Sequence, residues 1–91
     1  MIDLRNATVL VVDDEPDLCD MLAFEFKLQG STVCCAYNGK AAFEIARSRD
    51  VDVIVTDIRM ANGNGIELLE RVRTGSNDRP VIVFITAYEH V

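Results

Sequence analysis

The sequence has no apolar run that approaches the roughly 18 residues of a membrane span. We expect no signal peptide either, because the charged residues Asp3 and Arg5 lead directly into a strand-like segment. Cysteine is scarce, and Cys19, Cys34 and Cys35 form an odd set without C-x-x-C spacing, which argues against a disulfide framework or a shared metal. We therefore expect a cytoplasmic protein with three reduced thiols and no membrane partner.

Basic residues are also scarce. The chain has 9 lysines and arginines against 15 acids, which gives a formal net charge of −6. This balance argues against nucleic acid as a direct partner of this segment and favours cations or basic surfaces. The only lysines are Lys27 and Lys40, and the only histidine, His90, lies near the end of the chain, so we expect no histidine-based catalysis.

The 91 residues suffice for one domain with one apolar core. Four apolar segments predict strands, and three segments between them predict helices. Pro16 suits the first turn of a helix, Gly30 suits a helix exit, and Gly75 marks the end of the last helix. The predicted strands cover residues 8–12, 31–37, 51–56 and 81–85, and the predicted helices cover residues 16–29, 40–48 and 66–73.

This alternation of strands and helices predicts an α/β fold with parallel pairing and right-handed crossovers. Asp13 and Asp14 follow the first strand, Asp57 follows the third, and Thr86 follows the fourth. Because ligands bind at the carboxyl ends of the strands in such sheets, we expect one pocket with three carboxylates and a hydroxyl. A structural alternative stays open for each residue: one of the adjacent acids would cap the first helix, and the others would only end strands.

Three neighbouring carboxylates repel one another, and a bound cation relieves that repulsion. Mg²⁺ fits such a pocket best, because it prefers hard oxygen ligands and bridges carboxylates to phosphate oxygens. With Mg²⁺ bound, one carboxylate is free to attack a phosphoryl donor and form an aspartyl phosphate.

Four motifs together are familiar: Val-Asp-Asp-Glu-Pro at residues 12–16, Thr-Asp-Ile-Arg-Met at residues 56–60, Gly65, and Ile-Thr-Ala at residues 85–87. With them the chain resembles the receiver domain of two-component response regulators over nearly all its length. The resemblance implies a flavodoxin-like, doubly wound parallel sheet with strand order 2-1-3-4.

The resemblance also assigns roles to individual residues. It implies that Asp57 is the phosphate acceptor and a metal ligand, that Asp14 binds Mg²⁺ directly, and that Asp13 binds it through water. The backbone carbonyl of Arg59 would be a further ligand, and Thr86 would be the switch hydroxyl that turns toward the phosphoryl group.

Two features depart from the family pattern. Ala61 stands where the family usually has proline, which loosens the loop with little consequence for chemistry. The family's fifth strand ends in a lysine that contacts the phosphoryl group, and this chain has no lysine after Lys40. We therefore expect residues 1–91 to form a receiver truncated after the fourth strand, without the fourth helix, the fifth strand and the fifth helix. The chain is then either a piece of a longer protein or a naturally short receiver.

The leading hypothesis for function is a phosphorylation switch that a histidine kinase controls and that acts on an output domain or a downstream protein. It is a signalling module that takes part in its own phosphorylation, not a turnover enzyme. The alternative is a pseudo-receiver, a scaffold for protein interaction without phosphoryl transfer. A dehalogenase-type phosphatase is disfavoured, because Arg59 stands where that family has its second aspartate. An exposed apolar edge at residues 81–85 predicts self-association of the truncated chain.

Overall fold

A computed structural model of the chain describes residues 3–60, 63–75 and 80–85. Its elements follow one another as strand, helix, strand, helix, strand, a short hairpin, helix and strand. The strands are β1 (Thr8–Val12), β2 (Thr32–Ala36), β3 (Val53–Asp57), β4 (Arg59–Met60), β5 (Gly63–Asn64) and β6 (Val81–Ile85), and the helices are α1 (Pro16–Leu28), α2 (Gly39–Ser48) and α3 (Gly65–Gly75).

Four strands form one parallel sheet in the order β2-β1-β3-β6. Since β6 is the fourth predicted strand, this order confirms the predicted 2-1-3-4 arrangement and the α/β class. The register aligns Val12 of β1 with Thr56 of β3, and Asp57 with Ile85 of β6. The residues that end β1, β3 and β6 therefore lie at one edge of the sheet.

The apolar core has two halves, one on each face of the sheet, because successive side chains of a strand point in opposite directions. Val9 and Val11 pack on the α1 side with the helix residue Cys19. Leu10 and Val12 pack on the opposite side, with side chains from α2 and α3. All five of these side chains are at most 1% exposed. The central strands β1 and β3 are thus covered on both faces, as their continuous apolar runs predict, whereas β6 is partly exposed.

The helices begin and end close to their predicted limits. Pro16 is the first residue of α1, and the helix leads into Gly30, whose φ of 94° is in the left-handed region that glycine adopts without strain. Asn38 caps α2 by accepting a hydrogen bond from the backbone N–H of Ala41 at 2.8 Å. None of the helices in the described ranges is long and apolar enough to cross a bilayer.

The segment after Asp57 differs from the prediction. Its glycine and asparagine content predicts a loop over residues 61–65, whereas β4 and β5 pair as a short antiparallel hairpin and α3 begins at Gly65. Asp57 is also the last residue of β3 and not the residue after it. Both differences arise because backbone pairing continues past the apolar residues that define a strand in the sequence.

Candidate functional site

Asp13 is held in a fixed position at the end of β1. Its backbone N–H donates to the carbonyl of Ala36 at 3.1 Å, which continues the β1–β2 ladder by one bond. One of its carboxylate oxygens accepts a hydrogen bond from the backbone N–H of Glu15 at 2.9 Å and so closes the turn into α1. The Asp13 residue is only 5% exposed. A carboxylate has a second oxygen and further lone pairs, so this turn leaves acceptor capacity for a ligand.

Neither of the two adjacent acids occupies the N-cap position of α1, although the carboxylate of Asp13 accepts from the backbone N–H of the N-cap residue. The N-cap residue is Glu15, and its side chain makes no capping hydrogen bond. Asp14 is exposed at the mouth of the site, and Asp57 is half-buried.

Three carboxylates meet at this edge of the sheet. One oxygen from each of Asp13, Asp14 and Asp57 lies within 4.8 Å of the other two. The donor set consists of hard carboxylate oxygens, which suits Mg²⁺ and not a soft, thiolate-binding metal. The predicted convergence of these three acids is therefore found in the fold, and the chemistry of the set fits the expected cation.

Burial, together with the crowding of the acids, raises the pKa of Asp13. Burial raises the pKa of its carboxyl above the ordinary value of 3.8, and the negative charges of Asp57 and Asp14 raise the pKa further, while the N–H of Glu15 opposes them. A cation in the cluster would reverse this effect by favouring the ionised carboxylate.

The raised pKa of Asp13 predicts a loss of stability as the pH rises. The unfolded chain loses this proton near pH 3.8, whereas the folded chain retains it to a higher pH. The folded state then binds more protons, so the free energy of unfolding falls as the pH rises from 3.8 through the raised pKa. In urea unfolding across this pH interval, the free energy of unfolding is expected to fall less for Asp13→Asn than for the wild type, because asparagine cannot ionise. If the free energy of unfolding falls equally for the wild type and Asp13→Asn, the raised pKa of Asp13 is contradicted.

Next to the acid cluster, backbone hydrogen bonds join the two ends of the segment from Asp57 to Gly65. The backbone N–H of Gly65 donates to the carbonyl of Ile58 at 2.9 Å, and Arg59 pairs with Asn64 in the hairpin. A Cβ atom on Gly65 would lie 2.6 Å from the carbonyl oxygen of Asp57 and 2.9 Å from a ring carbon of Phe84. Only glycine fits this position without displacing its neighbours, which gives a steric reason for the Gly65 of the sequence motif.

Two buried side chains support the site and were not identified as site residues from the sequence. The thiol of Cys19 donates to the carbonyl of Asp13 at 3.4 Å, and the hydroxyl of Thr56 donates to the carbonyl of Asp57 at 3.0 Å. Both residues are 0% exposed. The prediction of Cys19 as a reduced core thiol is consistent with its free, buried state, but nothing local in the sequence indicates that it contacts Asp13.

Two predicted site residues stay predictions. Thr86 lies outside the described residues, although Ile85, which precedes it, is paired with Asp57. Arg59 is the first residue of β4, two residues beyond Asp57, and its assignment as a carbonyl ligand depends on the family resemblance alone.

Comparison with known proteins gives a consistent result. The family model described as response regulator receiver domain matches residues 9–91. The chain is 40% identical over 83 residues to the regulatory protein AtoC of Escherichia coli strain K12, a match that covers 91% of this chain and 18% of AtoC. It is 34% identical over 89 residues to the probable transcriptional regulatory protein TcrX of Mycobacterium tuberculosis, which covers 98% of this chain and 38% of TcrX. The chain thus spans well under half the length of these curated relatives.

Solved structures show the same fold. The response regulator TrrA of Thermotoga maritima, crystallised in complex with Mg²⁺-BeF, superposes with a TM-score of 0.84 at 33% identity, over 92% of this chain and 72% of that one. The chemotaxis protein CheY4 of Vibrio cholerae superposes with a TM-score of 0.86 at 29% identity, over 93% of this chain and 72% of that one. With its sheet order, its acid cluster and a family match over residues 9–91, the chain belongs to the response regulator receiver domain family.

Proposed function

We propose that Asp57 accepts a phosphoryl group from a histidine kinase in an Mg²⁺-dependent step and so switches an output domain or a downstream protein. The observation that carries the proposal is the meeting of three carboxylates within 4.8 Å at the carboxyl ends of β1 and β3. The pseudo-receiver alternative is not supported, since a scaffold would have no need for a cluster in which burial and neighbouring charges raise the pKa of Asp13.

In the proposed reaction, a carboxylate oxygen of Asp57 attacks the phosphorus of a phosphohistidine. A P–O bond to Asp57 forms as the P–N bond breaks, and the histidine nitrogen keeps the electron pair of that bond. Asp13, Asp14, Asp57 and the carbonyl of Arg59 would hold Mg²⁺, which when bound neutralises charge on the transferred phosphoryl group.

The surrounding residues hold the nucleophile still during this step. The β1–β3 pairing fixes Asp57 relative to Asp13. The hydroxyl of Thr56 and the N–H of Gly65 hold the carbonyls of Asp57 and of the next residue, Ile58. We propose Thr86 as the switch hydroxyl, because it follows directly after Ile85, the residue paired with Asp57. The three cysteines are free thiols, which suits the reducing cytoplasm that we propose as the location.

Removal of Asp14 tests the metal site. In the full-length protein, Mg²⁺ with beryllofluoride, a phosphoryl mimic, is expected to shift the NMR signals of the Asp57 segment. Asp14→Ala is expected to weaken Mg²⁺ binding by roughly tenfold or more, because even partners outside the first coordination sphere contribute 10- to 100-fold to metal affinity. The matched control is Asp17→Ala, an exposed acid in the first turn of α1. Retained affinity in Asp14→Ala would refute the role of Asp14, and an unchanged spectrum of the wild type would refute the proposed function.

We also propose that the 91-residue chain self-associates through β6. Within the described part of the chain, β6 pairs only with β3, and its residues Val81 and Val83 are each 45% exposed. An apolar strand edge of this kind is a template for pairing with another chain. Light scattering after size-exclusion chromatography is expected to show a dimer or larger species, and Val83→Lys should shift it toward monomer. A monomer at high protein concentration would refute self-association.

A further inference from the structure

The ring of Phe84 fills the space beside Gly65 that a larger residue would need. Its Cε1 and Cδ1 atoms lie 2.9 Å and 3.2 Å from the position that a Gly65 Cβ would occupy. Phe84 is half-buried, whereas Gly65 is buried. The ring edge is therefore in contact with the backbone at the start of α3.

The backbone of Gly65 closes the segment from Asp57 to Gly65, which carries two of the proposed Mg²⁺ ligands. Gly65 donates its N–H to Ile58 and lies against the carbonyl of Asp57, so a displacement of Gly65 is transmitted to both residues. Arg59, whose backbone carbonyl is a proposed ligand, lies in the hairpin between Ile58 and Gly65. The position of Gly65 therefore helps to fix two proposed Mg²⁺ ligands, Asp57 and the backbone carbonyl of Arg59.

Phe84 acts on this segment from the neighbouring strand. The β3–β6 register pairs it with Thr56, and it precedes Ile85, whose carbonyl accepts a long, 3.4 Å hydrogen bond from the N–H of Ile58. That long bond extends the β3–β6 pairing only weakly beyond Asp57 and Ile85, so the packing of the Phe84 ring adds support where the ladder ends.

We propose that Phe84 is a positioning residue for the magnesium site: its ring supports Gly65 and thereby keeps Asp57 and the Arg59 carbonyl in the geometry that binds the cation. The inference rests on the proposed function and deepens it. Nothing in the sequence indicates this role for Phe84, because an apolar residue near the end of an apolar strand has a sufficient explanation in packing.

Two measurements on Phe84→Ala in the full-length protein test the inference. The Mg²⁺ dissociation constant from NMR titration is expected to rise by roughly tenfold, the size of effect seen when a partner that orients a metal ligand is removed. In the metal-free protein, the Gly65 amide is expected to exchange its hydrogen with solvent faster, because its bond to Ile58 opens more often. If Phe84→Ala does not fold, Phe84→Leu takes its place, with smaller changes of the same sign expected because leucine keeps part of the volume.

The matched control is Ile82→Ala, two residues earlier on the same strand and the same face, where the side chain packs against the core cluster. It should lower the stability of the fold but leave the Mg²⁺ dissociation constant within about twofold and the Gly65 exchange no faster than that of neighbouring amides. Equal Mg²⁺ affinity in wild type and Phe84 variants would overturn the inference alone, and so would equal losses in Phe84→Ala and Ile82→Ala. A wild-type protein that binds no Mg²⁺ would overturn both the inference and the proposed function.

Discussion

Asp57→Asn is expected to lower phosphoryl incorporation by a factor of roughly a thousand or more, as loss of a covalent nucleophile lowers the rates of enzymes that use one. The amide of asparagine has no carboxylate oxygen with which to form the acyl phosphate. Incubation with a phosphorylated histidine kinase, or with a small acyl phosphate and Mg²⁺, followed by intact-protein mass spectrometry, measures the effect.

The same substitution is expected to stabilise the metal-free protein. Asp57 is one of three acids within 4.8 Å, and removal of one unit charge at such a separation relieves repulsion of about 1 kcal/mol in a water-like medium. Urea unfolding without Mg²⁺ should therefore show a higher midpoint for Asp57→Asn. A variant that is more stable but inactive separates a functional defect from misfolding.

The control for Asp57→Asn is Asp50→Asn, the same chemical change at an exposed position between α2 and β3. It should accept the phosphoryl group at the wild-type rate. Phosphoryl incorporation into Asp57→Asn at the wild-type level would refute Asp57 as the acceptor.

Gly65→Ala is expected to lower the free energy of unfolding by about 1–3 kcal/mol, the usual cost of overpacking a filled site. The new methyl group would lie 2.6 Å from the carbonyl oxygen of Asp57, so this backbone has to shift. Since the shift displaces proposed ligands, Mg²⁺ affinity should fall together with stability. Urea unfolding and Mg²⁺ titration measure the two effects.

Gly39→Ala is a close control, because Gly39 and Gly65 are each the first residue of a helix. A Cβ on Gly39 would have nothing within 4 Å, and alanine favours helices over glycine by up to about 1 kcal/mol. Gly39→Ala should therefore be neutral or stabilising. Similar unfolding curves for the two variants would show that the contacts of Gly65 do not constrain it.

The sequence predicted the main elements well because their signals are local. The apolar runs of β1, β3 and β6 are continuous, and Pro16 and Gly30 bound α1 through their own backbone preferences. The β4–β5 hairpin was missed for the same reason. Its two-residue strands have no period of their own, and the segment is closed by Gly65 bonding to Ile58.

The supporting contacts of the site were not predictable from local patterns. Cys19 reaches the carbonyl of Asp13 only because α1 packs on the face of the sheet where Val9 and Val11 point. Phe84 meets Gly65 only because β6 pairs with β3 in one particular register. A shift of one residue in that pairing would turn the Phe84 ring to the other face.

The sequence by itself determined the fold class and the three acids at the ends of its strands, because hydrophobic periodicity and the residue that follows each strand are properties of the chain. Tertiary structure alone decided that Asp13, Asp14 and Asp57 come within 4.8 Å, that burial raises the pKa of Asp13, and that Gly65 has no room for a methyl group. The acid cluster depends on the pairing of β1 with β3, more than 40 residues apart along the chain, and the contacts of Gly65 depend on the β3–β6 register. No local pattern encodes either pairing.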